Sequence, residues 1–303
     1  MKKFILLTTL LLPLIMFSQT QIGSDINGET TGDQSGRSVS SSSDGTIVAI
    51  GAWYNDGNGT SSGHVRVYSW DGSNWDQLGS DIDGEAADDG SGWSVSLSSD
   101  GTIVAIGARK NDANGLSNSG HVRVYSWNDT NWIQLGSDID GEAAGDESGY
   151  SVSLSSDGTK VAIGAWGNDG GGSLSGHVRV YEYSSSSWTQ TGVDIEGEAA
   201  ADYSGVSISL SSDGTKVAIG ANGNDGNGSG SGHVRVYEYS SGSWSQVGSD
   251  INGEAQYDQS GWSVSLSSDG TIVAIGAIYN VGSPLDELST GHVRVYSWNG
   301  TNW

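Results

Sequence analysis

The chain has 303 residues, 36 acidic against 12 basic side chains, a formal net charge of −24 and no cysteine. That balance argues against nucleic-acid and anionic-membrane partners, since phosphate surfaces select basic faces, and the lack of Cys excludes disulfides and thiolate metal sites. Cationic partners, metal cations and neutral sugars stay open.

In chain order the first element is a leader. Lys2 and Lys3 precede an apolar run from Phe4 to Phe17, followed by Ser18 and Gln19. A basic head, an apolar stretch of this length and a small residue at its end predict a cleavable secretory signal over 1–18 and a mature domain over 19–303. The run is too short to span a bilayer. The expected location is therefore extracellular or at the cell surface, without membrane insertion. Both Phe and both Met lie in this leader, so the mature core must be built from Val, Ile, Ala, Leu, Trp and Tyr.

The rest is a repeat. His64, His121, His177, His233 and His292 each sit in the segment Gly-His-Val-Arg-Val-Tyr, and Asp44, Asp100, Asp157, Asp213 and Asp269 each sit in Ser-Ser-Asp-Gly. Both series give a unit of about 57 residues. Strict periodicity of β-branched residues separates this Gly- and Ser-rich chain from a disordered one. One unit shows four strand signals. The segment from Tyr150 alternates apolar and small residues, Asp157-Gly158 makes a hairpin turn, and a strand starts at Thr159. The third begins at Gly176 and the fourth at Trp188. No segment has helical periodicity with caps. Short antiparallel strands at this spacing predict an all-β fold, a five-bladed β-propeller of four-stranded units. A parallel β-helix is the rival, but its coils are shorter and lack hairpins. The chain stops at Trp303, which aligns with Trp75, Trp132, Trp188 and Trp244, each opening a fourth strand. The segment from Thr20 matches that from Thr189. The N-terminal strand is thus expected to complete the last blade and close the ring, which removes two free edges.

The unit from Gly145 to Gln190 resembles the FG-GAP repeat of integrin-α-like β-propellers, in a bacterial secreted form. Gly164-Ala165 match the Gly-Ala of the second motif, and Gly176-His177-Val178-Arg179-Val180-Tyr181 matches the glycine-led third strand. The resemblance extends over all five units. The Phe of Phe-Gly is replaced by Ser35, Ser91, Ser148, Ser204 and Ser260. The calcium loop that the resemblance implies between the first two strands is reduced to Ser-Ser-Asp-Gly, too few carboxylates for an ion that takes six to eight oxygens. The seven blades usual in the family do not fit five units.

Strand order places the inter-unit loops and the loops after Gly-Ala on one face. The former carry Glu29/Asp33, Glu85/Asp89, Glu142/Asp146, Glu198/Asp202 and Glu254/Asp258, and the latter Asp56, Asp112, Asp169, Asp225, Asp286 and Glu287. The Glu/Asp pairs are candidate calcium ligands, set against a solvated acidic surface that confers solubility. No other cofactor is expected.

Positions that vary between units are not dictated by blade geometry. One is Arg37, Trp93, Tyr150, Val206 or Trp262. The other begins with Trp53-Tyr54, Arg109-Lys110, Trp166-Gly167, Asn222-Gly223 or Ile278-Tyr279. Trp53, Tyr54, Trp93, Tyr150, Trp166, Trp262 and Tyr279 are the candidate ligand-binding residues, with inter-blade packing as their alternative role. The five histidines are expected to be structural. No singular acid–base or nucleophile constellation appears, so an enzyme is not expected, a polysaccharide-active one being the exception to test. The expected function is a monomeric, secreted binding or adhesion module for an extracellular protein or a glycan.

Overall fold

The computed structural model describes residues 20–281 and 289–303. The predicted leader, and Asp286 and Glu287, lie outside the described residues. Among the described residues no helix is long and apolar enough to cross a membrane.

The first unit contributes β1 (Ser38–Ser41), β2 (Ile47–Ala52), β3 (His64–Trp70), β4 (Trp75–Gln77) and β5 (Ile82–Asp83). The second gives β6 (Ser94–Leu97), β7 (Ile103–Ala108), β8 (His121–Trp127), β9 (Trp132–Gln134) and β10 (Ile139–Asp140). The third gives β11 (Ser151–Leu154), β12 (Lys160–Ala165), β13 (His177–Ser184), β14 (Ser187–Gln190) and β15 (Ile195–Glu196). The fourth gives β16 (Ser207–Leu210), β17 (Lys216–Ala221), β18 (His233–Ser240), β19 (Ser243–Gln246) and β20 (Ile251–Asn252). The last gives β21 (Ser260–Leu266), β22 (Ile272–Ala277) and β23 (His292–Ser297). Each unit is one antiparallel sheet, and in the first four the expected fourth strand is split into two pieces that both pair with the third. Asp44 shows why the first hairpin forms. Its Oδ1 accepts from Ser42 Oγ, the Thr46 amide and Thr46 Oγ1 at 2.7, 2.9 and 2.8 Å, and the Thr46 amide bond followed by those hydroxyls holds its carboxyl down to about 2. The one carboxylate of Ser-Ser-Asp-Gly is thus occupied in shaping the turn.

The core lies between sheets. Ala49, Val65, Val67 and Ile82 of the first unit pack on Leu97, Val104, Ile106 and Tyr125 of the second, and the same cluster recurs at the next three junctions. No sheet buries its own faces alone. Serines on the innermost strands knit the junctions. Ser38 Oγ donates to the Gly92 carbonyl at 2.7 Å, and Ser40 Oγ accepts from the Leu97 amide at 2.9 Å. The approach is close: a Cβ on Gly51 would stand 2.1 Å from the Gly92 carbonyl oxygen. This is the physical reason for the glycine of Gly-Ala.

The two outer faces of the array differ from the four junctions. Val293 and Val295 of β23 are 68% and 65% exposed, whereas their equivalents Val65 and Val67 are buried. Val39 of β1 is exposed as well. Residues 20–27 form no strand, and β23 has no fourth-strand partner among the described residues. That N-terminal segment lies on the first sheet, where the Ile22 carbonyl accepts from Trp75 Nε1 at 3.1 Å. The bond repeats at the junctions, as from Trp132 Nε1 to the Leu78 carbonyl at 2.9 Å.

Candidate functional site

The innermost strands of the five units start around one place. Arg37, Trp93, Tyr150, Val206 and Trp262, together with the Ser and the Val or Ile that follow each of them, line a central cavity of about 330 Å³. These are the five residues of the varying position, brought together because each unit repeats the same placement. Trp262 is 45% exposed and open to a ligand. Trp93 is half-buried and capped: the guanidinium groups of Arg37 and Arg109 each stand 3.8 Å from its ring centroid. Arg109 also forms an ion pair with Glu147, whose Oε2 accepts from Trp166 Nε1 at 2.9 Å.

The other candidate aromatics divide. Trp53 is buried, donates to Gln34 Oε1 at 3.0 Å, stacks on Tyr54 at 3.5 Å and meets Trp93 edge-on at 4.9 Å. The run continues from Trp93 to Tyr150 at 5.4 Å, on to Trp166 at 5.9 Å and then to Tyr203 at 5.4 Å. Trp53, Trp93, Tyr150 and Trp166 thus form a packed run of rings of which Trp93 and Tyr150 line the cavity, while Tyr54, Trp262 and Tyr279 keep exposed rings. Arg37, Arg109 and Tyr203 belong to this constellation although they are not among the candidate residues. Arg37 and Arg109 carried a signal, since both occupy varying positions.

The Glu/Asp pairs are divided by role. Asp33 is buried, and its Oδ2 accepts from the Thr30 amide and Asn55 Nδ2, both at 3.0 Å, tying the loop after β2 to the inter-unit loop. Asp89, Asp146, Asp202 and Asp258 make the same bond to Asn111, Asn168, Asn224 and Asn280. Glu29, Glu85, Glu142, Glu198 and Glu254 turn instead to the third strand of their own or the adjoining unit. There they gather with a histidine and a second aspartate: Glu29–His64–Asp81, Glu85–His121–Asp138, Glu142–His177–Asp194 and Glu198–His233–Asp250, with ligand atoms within 4.8 Å of one another. In the last unit Glu254 stands 3.6 Å from His292.

Arg66 lies beside this cluster. Its Nη2 donates to the Asn27 carbonyl at 2.7 Å, and its Nη1 is 3.6 Å from Glu29 Oε1. Burial pushes His121 and His177 down to about 4, helped by Arg123 and Arg179 and opposed by Asp138 and Asp194. The imidazoles are therefore neutral at physiological pH.

Residues 27–68, 71–125 and 139–181 match the FG-GAP repeat. No curated protein is significantly similar in sequence. Among solved structures the chain is similar to a protein assigned as a 6-phosphogluconolactonase from Bacteroides uniformis (14% identity, TM-score 0.53, covering 87% of this chain and 72% of that one). It is similar to the periplasmic gluconolactonase of Pseudomonas aeruginosa (15%, 0.52, 88% and 73%) and to a protein assigned as TolB from Agrobacterium tumefaciens (13%, 0.50, 88% and 78%). At these identities the likeness concerns the propeller fold alone. With the repeat matched in three successive units, and the same sheet recurring along the chain, the protein belongs to the FG-GAP repeat family.

Proposed function

We propose that the chain is a non-catalytic binding and adhesion module, exported to the cell exterior or surface, which takes an extracellular protein or glycan at the central cavity. The observation that carries this reading is convergence: the five residues of the varying position line one cavity. An exposed indole, Trp262, a guanidinium, Arg37, and strand serines offer ring area and hydrogen-bonding groups to a sugar or a protein side chain. Among the described residues Arg37 is the charged residue of that lining, which there holds neither a carboxylate nor an imidazole, and this supports binding over acid–base hydrolysis. The test is a glycan array and a set of surface proteins probed with the wild-type chain and with Trp262→Ala. Loss of the captured ligand by about tenfold or more is expected, given what a central aromatic anchor contributes. Undiminished capture by both Trp262→Ala and Arg37→Ala sinks the reading.

We propose further that the five sheets close into a monomeric ring. The two outer faces are halves of one interface. Nothing stands within 4 Å of a Cβ built on Gly36, the equivalent of Gly92, while Gly276, the equivalent of Gly51, lacks the facing carbonyl that the other four meet. Closure sets Gln21–Asn27 beside β23 and covers Val293 and Val295. Its test is whether Val293 behaves as a buried or an exposed valine on substitution.

A further inference from the structure

We infer that the His–Glu–Asp clusters between the units bind divalent first-row transition metal ions of the zinc type, an assignment independent of what the central cavity takes. The distances carry the first part of the argument. His64 Nδ1 stands 3.5 Å from Asp81 Oδ2 and 3.8 Å from Glu29 Oε2. In the next three units the corresponding separations are 3.8 Å in the second, 3.7 Å to Asp194 in the third, and 3.8 and 3.9 Å in the fourth. An N–H···O bond spans about 2.7–3.2 Å, so these are too long. Two ligand atoms on a tetrahedral ion with bonds of about 2.0–2.2 Å lie roughly 3.3–3.6 Å apart, so a small movement of exposed carboxylates suffices.

The second part is an unpartnered atom. His177 and His233 are 1% and 3% exposed, and the Nδ1 of each, turned toward its carboxylates, has no hydrogen-bond partner; the Nε2 of His177, like that of His64 and His121, is unpartnered as well. Buried polar atoms are almost always satisfied, and here the same atom is orphaned at the same place in two successive units. A metal ion accepts the lone pair that no donor meets.

Charge and the neighbouring arginine agree. Each cluster has two carboxylates against one guanidinium. Arg179 Nη1 stands 3.3 Å from Glu142 Oε1, which fixes that carboxylate and leaves its other oxygen for the cluster. Imidazole nitrogen with two carboxylates selects a borderline ion such as zinc over calcium, which takes six to eight oxygens. The carboxylates are partly exposed, so ions enter from solvent. In the fourth unit Arg235 pairs with both Glu198 and Asp250, which makes that site the weakest.

The experiment is calorimetric titration of the chelator-treated full chain with zinc sulfate, followed by imidazole nitrogen NMR. Three ions per chain, with a fourth bound more weakly, and displaced Nδ1 resonances are expected. His177→Gln removes one ion. Glu142→Gln and Asp194→Asn, on partly exposed side chains, each weaken one site about tenfold or more. No bound zinc at large excess overturns the assignment. So does zinc that binds without moving the Nδ1 signals, as a merely acidic surface would take it.

Discussion

A histidine that ordinarily titrates near neutrality is held neutral here by its surroundings. His121 and His177 stand at about 4 in the folded chain, burial being the first cause, against 6.5 in an unfolded one. Below pH 6.5 the unfolded chain takes up a proton that the folded chain refuses. Their contribution to stability is therefore complete above pH 6.5 and is lost as pH falls toward 4, by roughly 3 kcal/mol each at the limit. Metal-free protein should melt at progressively lower temperature across that window, and His177→Gln, which cannot titrate, should flatten the slope. A slope unchanged by the substitution would remove this histidine as a cause. Asp44 and Asp269, held near 2 by their turn bonds, act in a separate window below about pH 4, where their protonation releases the hairpins.

At the scale of the strand, the third one of each unit carries two kinds of contact. Its valines face the next sheet, and its His, Arg and Tyr face the preceding inter-unit segment. Val178→Ala at a junction should cost about 2–3 kcal/mol, two methyl groups plus the space they leave. In a closed ring Val293→Ala costs the same. A cost under about 0.5 kcal/mol, the surface value, would show the ring to be open. Denaturant melts of the two variants decide it.

The strand itself was legible in the sequence, because Val-x-Val alternation and the flanking Gly depend on one unit alone. The split of the fourth strand was not, since its two pieces are set by what they pair with. Nor was the separation of Glu142 from Asp146, whose partners His177 and Asn168 both belong to the unit that follows the loop and are reached only through the fold. Trp93 reads as an open ring in sequence. It is covered because Arg37 and Arg109 arrive from different units, and no local pattern announces that meeting. The varying position was legible as a set of unlike residues, and the fold adds that repetition brings all five to one cavity.

For the whole molecule, the decisive feature is that every core cluster is shared between two sheets and owned by neither. Remove a sheet and its neighbour loses half of its apolar cover. Consider the chain pulled by its ends. A unit at the margin has one junction to lose and an interior unit has two, so load peels the array from the outside inward. Each yielding unit of about 57 residues releases up to roughly 200 Å of extended chain at about 3.3–3.6 Å per residue. A force–extension trace with steps of that size is expected, preceded by one larger rupture where a ring seam gives way; a single event spanning the whole chain would mean the junctions fail together. The shared core thus makes the molecule a graded mechanical fuse, yielding in counted lengths while the sheets nearest its middle hold.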